Sequence, residues 1–360
     1  MPCFERDWTA EQVCRAIRAL PIEKARLMEV CGTHTVAIAR SGIRRMLPPY
    51  VELLSGPGCP VCVTPASDID AILALSAEQD IMIATYGDML RVPGSRRGDS
   101  LRRRSTEGAQ VRMVYSPLDA VALAERYPGK QVVFLGVGFE TTAPGTAVAI
   151  AQAQAKNIQN FTVVPLLKTV EPALRALLRQ PDFAVDGFLC PGHVAVITGA
   201  EAFRFLPEEY GRAAVVGGFE PMDILLSVYH LLRQLAEGKP TLENEYIRAV
   251  PANGNPLARQ AVAQYFTPCD AVWRGLGSIP RSGLTLREEY RQFDAAARFG
   301  LSLGRAEKPS ACRCGQVITG YCPPRECPLF GTVCLPENPV GPCMVSGEGA
   351  CAAAYQYQEV

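Results

Sequence analysis

The sequence has no charge of one sign to spare, no long apolar run and almost no histidine. Its 36 Lys+Arg balance 36 Asp+Glu, so no global field steers the chain onto nucleic acid or an anionic membrane. The N-terminus, Met1-Pro2-Cys3-Phe4-Glu5-Arg6-Asp7, puts charges where a secretory leader needs an apolar stretch. Nowhere does the chain approach the ~18 apolar residues of a membrane span. A cytoplasmic protein is expected. A second Cys-x-x-Cys is missing, and so is a Gly-Lys-Ser/Thr phosphate loop. What is plentiful is cysteine: 14 residues, seven of which (Cys312, Cys314, Cys322, Cys327, Cys334, Cys343, Cys351) fall between 312 and 351. In a reducing compartment such clustering speaks for metal or redox chemistry before permanent staples. Cys14, Cys190 and Cys269 are scattered and read as small hydrophobes.

A hydrophobic content of 48% excludes disorder, and 360 residues exceed what one core holds, so two or three domains are expected. From residue 25 to about 235, short aliphatic runs end in Gly-rich loops and lead into helical periodicity, the pattern of parallel α/β layers. Strands are expected at 26–30, 51–55, 81–85, 111–115, 131–136, 161–165, 185–189 and 213–217. Ser67 with Asp70 resembles a capping box, Ser116-Pro117 reads as an N-cap followed by proline, and Pro221 opens a helix running to Gly238. The strands suggest a division into an α/β domain over 1–115, a second over 116–238, and a helical, Cys-rich domain over 239–360. Leu54-Ser55-Gly56-Pro57-Gly58-Cys59 and Leu189-Cys190-Pro191-Gly192-His193 echo one another, as two related domains would. The loop-like stretch with Arg91, Arg96, Arg97, Arg102, Arg103 and Arg104 lacks aromatics and includes Asp99, which favours solvent or a protein partner over nucleic acid.

Four constellations carry chemistry. Cys31-Gly32-Thr33-His34 places a thiol between a strand and a helix N-terminus, where the dipole lowers its pKa and suits reaction or metal binding. His34 reads as a second ligand, an acid/base group or a capping neighbour. Gly56-Pro57-Gly58-Cys59-Pro60-Val61-Cys62 lets two sulfurs close a disulfide or hold one ion, half of a structural zinc site being the bland alternative. Gly136-Val137-Gly138-Phe139-Glu140-Thr141-Thr142-Ala143-Pro144 and Pro191-Gly192-His193 fit either tight turns or the lining of a cleft at strand carboxyl ends. In the tail, Cys327, Cys334, Cys343 and Cys351 are separated by six, eight and seven residues. That suits four thiolates around a large cluster better than paired zinc knuckles, although zinc is a second reading. Leu329, Phe330, Met344 and Val345 are expected to shield it.

Taken in order, these motifs, with the tail's closing Cys343-Met344-Val345-Ser346-Gly347-Glu348-Gly349-Ala350-Cys351, resemble the HypD family of nickel–iron hydrogenase maturation factors over nearly the whole chain. The resemblance implies two similar parallel-sheet α/β domains plus a small Cys-rich iron–sulfur domain with a 4Fe-4S cluster on Cys327, Cys334, Cys343 and Cys351. It implies that Cys31 binds the iron of an Fe(CN)2CO group, with Cys59 and Cys62 as further ligands or a redox dithiol. His34, Glu140 and His193 then belong to the working site. Implied partners are a HypC-type chaperone sharing the iron and a HypE-type cyanide donor, the chain being a monomer by itself. Cys312, Cys314 and Cys322 exceed the four thiols a cluster needs. Two other classes stay open: a disulfide oxidoreductase similar to ferredoxin:thioredoxin reductase, which uses the same residues but does not need Cys31, and a zinc-stabilised interaction module, which needs neither redox pair.

Overall fold

Short aliphatic runs separated by helices can pair only in parallel, because the crossover returns each strand in the same direction. The computed structural model describes residues 7–305 and 311–357. The leader expectation on Met1–Arg6 and the composition change at Pro309 lie outside the described residues. Eleven strands are described: β1 (Ala25–Glu29), β2 (Val51–Ser55), β3 (Ile81–Thr85), β4 (Gln110–Met113), β5 (Gln131–Gly138), β6 (Phe161–Lys168), β7 (Gly187–Pro191), β8 (Ala213–Gly217), β9 (Leu242–Asn244), β10 (Phe266–Trp273) and β11 (Gly277–Leu286). They form two sheets, β2-β1-β7-β8-β9 and β10-β11-β6-β5-β3-β4. The first is wholly parallel; the second is parallel except for β10 and β11. The protein is thus α/β with two parallel-dominated sheets, carrying a Cys-rich C-terminal region.

Sheet membership corrects the expected boundaries at 115 and 238. Each sheet draws strands from both sides of residue 115, since β1 pairs with β7 and β3 pairs with β5. The two echoing Pro-Gly turns follow β2 and β7, which flank β1 in the same sheet. The echo therefore marks two edges of one site. A second correction concerns 240–300, read as helical: β10 and β11 form an antiparallel hairpin that extends the second sheet from β6. Its alternating burial is the period-two pattern of a strand, and Pro268 is tolerated because β10 lies at the sheet edge.

Local signals mostly act as their chemistry dictates. Ser116 accepts from Leu118 N and forms a capping box with Asp119, opening the helix Pro117–Arg126. The helix Pro221–Ala236 ends just before Gly238, whose φ of +61° is the left-handed region glycine favours. Ser67 is corrected: Pro65 caps that helix and Ser67 lies within it. Residues 101–106 are helical, and Asp99 accepts both guanidinium hydrogen bonds of Arg104, at 2.8 and 2.7 Å. Among the described residues, no helix is long and apolar enough to cross a membrane.

The tail is fastened to both sheets. Tyr321 packs on Phe183 and donates to Gln180 Oε1, beside the first sheet. On the other side, Arg91 donates to Val345 O, and Asp88 accepts from Ser346 Oγ and Gly347 N. Cys59, Cys62, Cys314, Cys343 and Cys351 share one hydrophobic core with residues of both sheets.

Candidate functional site

The site grows from the carboxyl ends of three adjacent strands, β1, β7 and β8. Cys31 is the N-cap residue of the helix Gly32–Ser41 directly after β1. The Gly56-Pro57-Gly58 turn after β2 folds against it: Gly32 N donates to Gly58 O at 3.1 Å, and Gly56 N donates to Glu29 O at 2.8 Å. A Cβ on Gly58 would sit 2.3 Å from Cys31 N, so only glycine allows this approach. Cys59 follows immediately and is bridged to Cys62, with their Cα atoms 5.2 Å apart. Cys31, Cys59 and Cys62 are all buried and are brought together through Gly58.

The helix-dipole expectation for Cys31 is overturned. Burial, reinforced by the charge of Glu348, pushes its thiol up to about 12, although the backbone N–H groups of His34 and Thr33 act in the expected direction. Desolvation outweighs a dipole worth typically ~1 kcal/mol, because a thiolate loses most of its hydration here. Glu29 behaves likewise: burial lifts its carboxyl to about 7, although Thr35 and Ser55 donate to it.

Glu348 is a site residue that motif reading passed over. Its Oε1 accepts from Thr33 Oγ1 at 2.7 Å, and its Cβ lies 2.4 Å from where a Cβ on Gly32 would be. The tail's Ser-Gly-Glu-Gly loop therefore closes over the Cys31 loop. Its place between the last two tail cysteines marks it as part of the tail loop but not as a neighbour of Thr33.

His34 is fully buried. Its Nε2 lies 2.8 Å from Gly218 O, in the turn after β8, and burial lowers its pKa to about 4. His193, at the start of the helix Gly192–Thr198 after β7, stacks at 3.8 Å on Phe219. The two imidazoles thus join the Cys31 side of the molecule. Glu140 belongs to the other sheet, after β5, where its Oε1 accepts from Val170 N at 2.8 Å. The preceding Phe139 stacks on Trp273, and Arg274 donates to Val63 O and Thr64 O. One aromatic contact therefore links the Glu140 motif to the Cys59-Cys62 turn.

Glu140 yields a pH prediction. Burial raises its carboxyl to about 7, and Oε2 has no partner among the described residues. Because the folded value lies above the unfolded one, its contribution to stability is full below about pH 4.5 and is lost as pH rises through about 7. Glu140→Gln removes that loss. The variant is expected to match wild type at low pH and exceed it by on the order of 3 kcal/mol at about pH 8. Urea unfolding at both pH values checks this; equal stability at the higher pH would show that the charged carboxylate is paired.

In the tail, Cys312, Cys314, Cys343 and Cys351 follow one another as neighbours, each thiol close enough to the next to perturb its ionisation. Cys334 lies within electrostatic reach of Cys351 and accepts from Val340 N at 3.3 Å. Cys327 lies beside Cys322. Cys343 and Cys351 therefore meet, Cys334 is close, and Cys312 and Cys314 join them. Met344 and Val345 are buried around the row, and Leu329 and Phe330 pack partly against it. Among the described residues, no three His, Cys, Asp or Glu side chains stand ready to clasp a single ion. In donor chemistry, the tail's buried thiols within an apolar shell fit an iron–sulfur cluster.

Sulfur and imidazole are what these strand ends present, the donor set of a protein that handles soft metal ions or electrons. Comparison narrows that class to hydrogenase maturation. A family profile described as "HypD: Hydrogenase formation hypA family" matches residues 8–358. The chain is 46% identical over 335 residues to Hydrogenase maturation factor HypD of Escherichia coli strain K12, covering 93% of this chain and 89% of that protein. It is 45% identical over 354 residues to Hydrogenase maturation factor HypD2 of Bradyrhizobium diazoefficiens, covering 96% and 93%. With HypD of Rhodobacter capsulatus the identity is 44% over 363 residues, covering 99% and 96%. The chain belongs to the HypD family of hydrogenase maturation factors.

Proposed function

We propose that this maturation factor is the scaffold on which the Fe(CN)2CO group of nickel–iron hydrogenase is assembled, with Cys31 as the iron's protein ligand. The supporting observation is the buried Cys31 thiol, in backbone contact with the Cys59-Cys62 turn and closed over by Glu348. Low-spin iron carrying cyanide and CO needs a soft thiolate in a water-poor site. A HypC-type chaperone supplies a second thiolate, and a HypE-type protein supplies cyanide. Cys59 and Cys62 serve as further ligands or as the dithiol that takes up two electrons and two protons when its bridge opens. The cargo is handled in the cytoplasm, before the hydrogenase is complete.

The 4Fe-4S cluster we assign to Cys327, Cys334, Cys343 and Cys351 supplies one-electron transfer when bound. Contact between Cys343 and Cys351, with Cys334 nearby, supports three of these ligands; Cys327 rests on the motif match and would have to leave Cys322. Arg274 sits between the two centres, in reach of Cys312 and Cys314 and hydrogen-bonded to the residues after Cys62. The chain thus offers a protein path from tail thiols to the Cys59-Cys62 bridge.

Anaerobic analysis of iron, sulfide and zinc, with and without the partner chaperone, tests this reading. The expected result is about four iron and four sulfide from the cluster, with additional iron when the chaperone is present. A zinc-only result would sink both the scaffold and the iron–sulfur oxidoreductase readings.

A further inference from the structure

We infer that Phe219 is a positioning residue of this site, clamping the His34 and His193 imidazoles between the carboxyl ends of β1, β7 and β8. These three strands are neighbours in the first sheet, and each contributes one ring from the helix start or turn that follows it. His34 stacks on Phe219 at 4.5 Å with 27° between planes, and His193 stacks at 3.8 Å with 24°. One face of a phenyl ring has no room for two imidazoles at such distances, so the ring is sandwiched. The stack runs outward, from the fully buried His34 through half-buried Phe219 to exposed His193.

The segment carrying Phe219 also fixes which nitrogen of His34 bears hydrogen. Gly218 O can only accept, so the His34 Nε2 at 2.8 Å is the donor. In a neutral ring Nδ1 is then a bare acceptor, and it is buried without a partner among the described residues. A buried acceptor left without a donor disfavours the folded state, because the lone pair has given up its water. That cost is recovered when a polar hydrogen reaches it, from an internal water, a bound partner chain or the cargo. Phe219 holds the ring so that this lone pair stays aimed at one place.

The clamp is itself braced. Tyr246 meets the edge of Phe219 at 5.9 Å and 87°. Arg248 lies 4.5 Å over Tyr246 and makes two hydrogen bonds to Asp223, at 2.8 and 2.5 Å. The turn is glycine at 218 because a Cβ there would fall 2.1 Å from Asp223 Oδ2 and 2.7 Å from Tyr246. A leucine at 219 would fill the volume yet offer no flat faces, so the His34 ring could turn out of line with Gly218 O and give up the hydrogen bond that sets its tautomer.

The importance of the clamp for maturation rests on the scaffold reading; its effect on the rings does not. Long-range proton–nitrogen spectra of the full chain labelled with 15N-histidine read the tautomers directly. Wild type is expected to show His34 wholly as the Nε2–H form. Phe219→Leu is expected to show a mixture and to lower hydrogenase maturation about tenfold or more, as misplaced groups near reacting atoms do. Phe219→Tyr, which keeps the ring, is expected to restore both. If Phe219→Leu does not fold, Phe219→Met replaces it as an unbranched, non-aromatic filler. Unchanged histidine signals and wild-type maturation in either variant would overturn the inference. Maturation that persists in Cys31→Ser would remove the scaffold reading while leaving the tautomer result standing.

Discussion

Cys31→Ser is expected to abolish hydrogenase maturation while leaving the protein folded. Serine keeps the shape of the side chain, and at an N-cap it is among the preferred residues, so stability should change by no more than about 1 kcal/mol. The chemistry changes completely. A hydroxyl is a hard, weakly acidic ligand, and low-spin iron with cyanide and CO selects sulfur. Complementation of a strain lacking the factor, read as hydrogenase activity, reports the loss; thermal unfolding reports the intact fold. The oxidoreductase alternative makes the opposite forecast, since a cluster reducing a protein substrate through Cys59 and Cys62 has no need of Cys31. Wild-type maturation in Cys31→Ser would therefore decide for that alternative.

The second large effect comes from one methyl group. Gly58→Ala would place its Cβ 2.3 Å from Cys31 N, 2.5 Å from Cys31 Cα and 2.6 Å from Val30 C. All three are backbone atoms, so no side chain can swing aside. Either the turn after β2 or the end of β1 must shift, and the hydrogen bond from Gly32 N to Gly58 O goes with it. A loss of about 3 kcal/mol or more is expected, above the usual cost of overpacking because backbone must move. Chemical denaturation measures it, and a midpoint equal to wild type would show that the turn is not held against Cys31. Iron captured with the partner chaperone should fall in parallel, which a purely global destabilisation would not produce in the folded fraction.

The parts of the fold legible in the sequence were those set by local chemistry. The expected strands at 51–55, 81–85 and 213–217 coincide with β2, β3 and β8, because short aliphatic runs between helices have few alternatives. β10 and β11 were illegible as strands because each carries a proline and mixes exposed with buried residues, a pattern that the edge position of β10 and the short pairing of β11 with β6 explain only once the sheet is known. The domain boundaries failed for a related reason. Nothing within residues 25–55 states that their sheet is completed by residues 187–244.

The candidate site divides in the same way. Cys31, Cys59 and Cys62 were recognisable from residue type and spacing. Glu348 and Phe219 were not, since each acts on a group far away in sequence: Glu348 on Thr33, 315 positions earlier, and Phe219 on His34 and His193. The direction of the Cys31 shift was missed because a helix N-terminus is visible in sequence and the burial that overrides it is not.

The interleaving of the two sheets has a consequence for synthesis on the ribosome. Arg26 N, on β1, donates to the Asp186 carboxylate 160 positions later. At typical translation speeds that interval lasts about ten to thirty seconds. Throughout it the edge of β1 facing β7 has no partner, and the Cys31 loop lacks the turns after β7 and β8. The Glu348 loop that closes over Cys31 comes later still, 315 positions after the Thr33 it contacts. The nascent chain therefore carries the Cys31 thiol without this cover until residue 348 has been added.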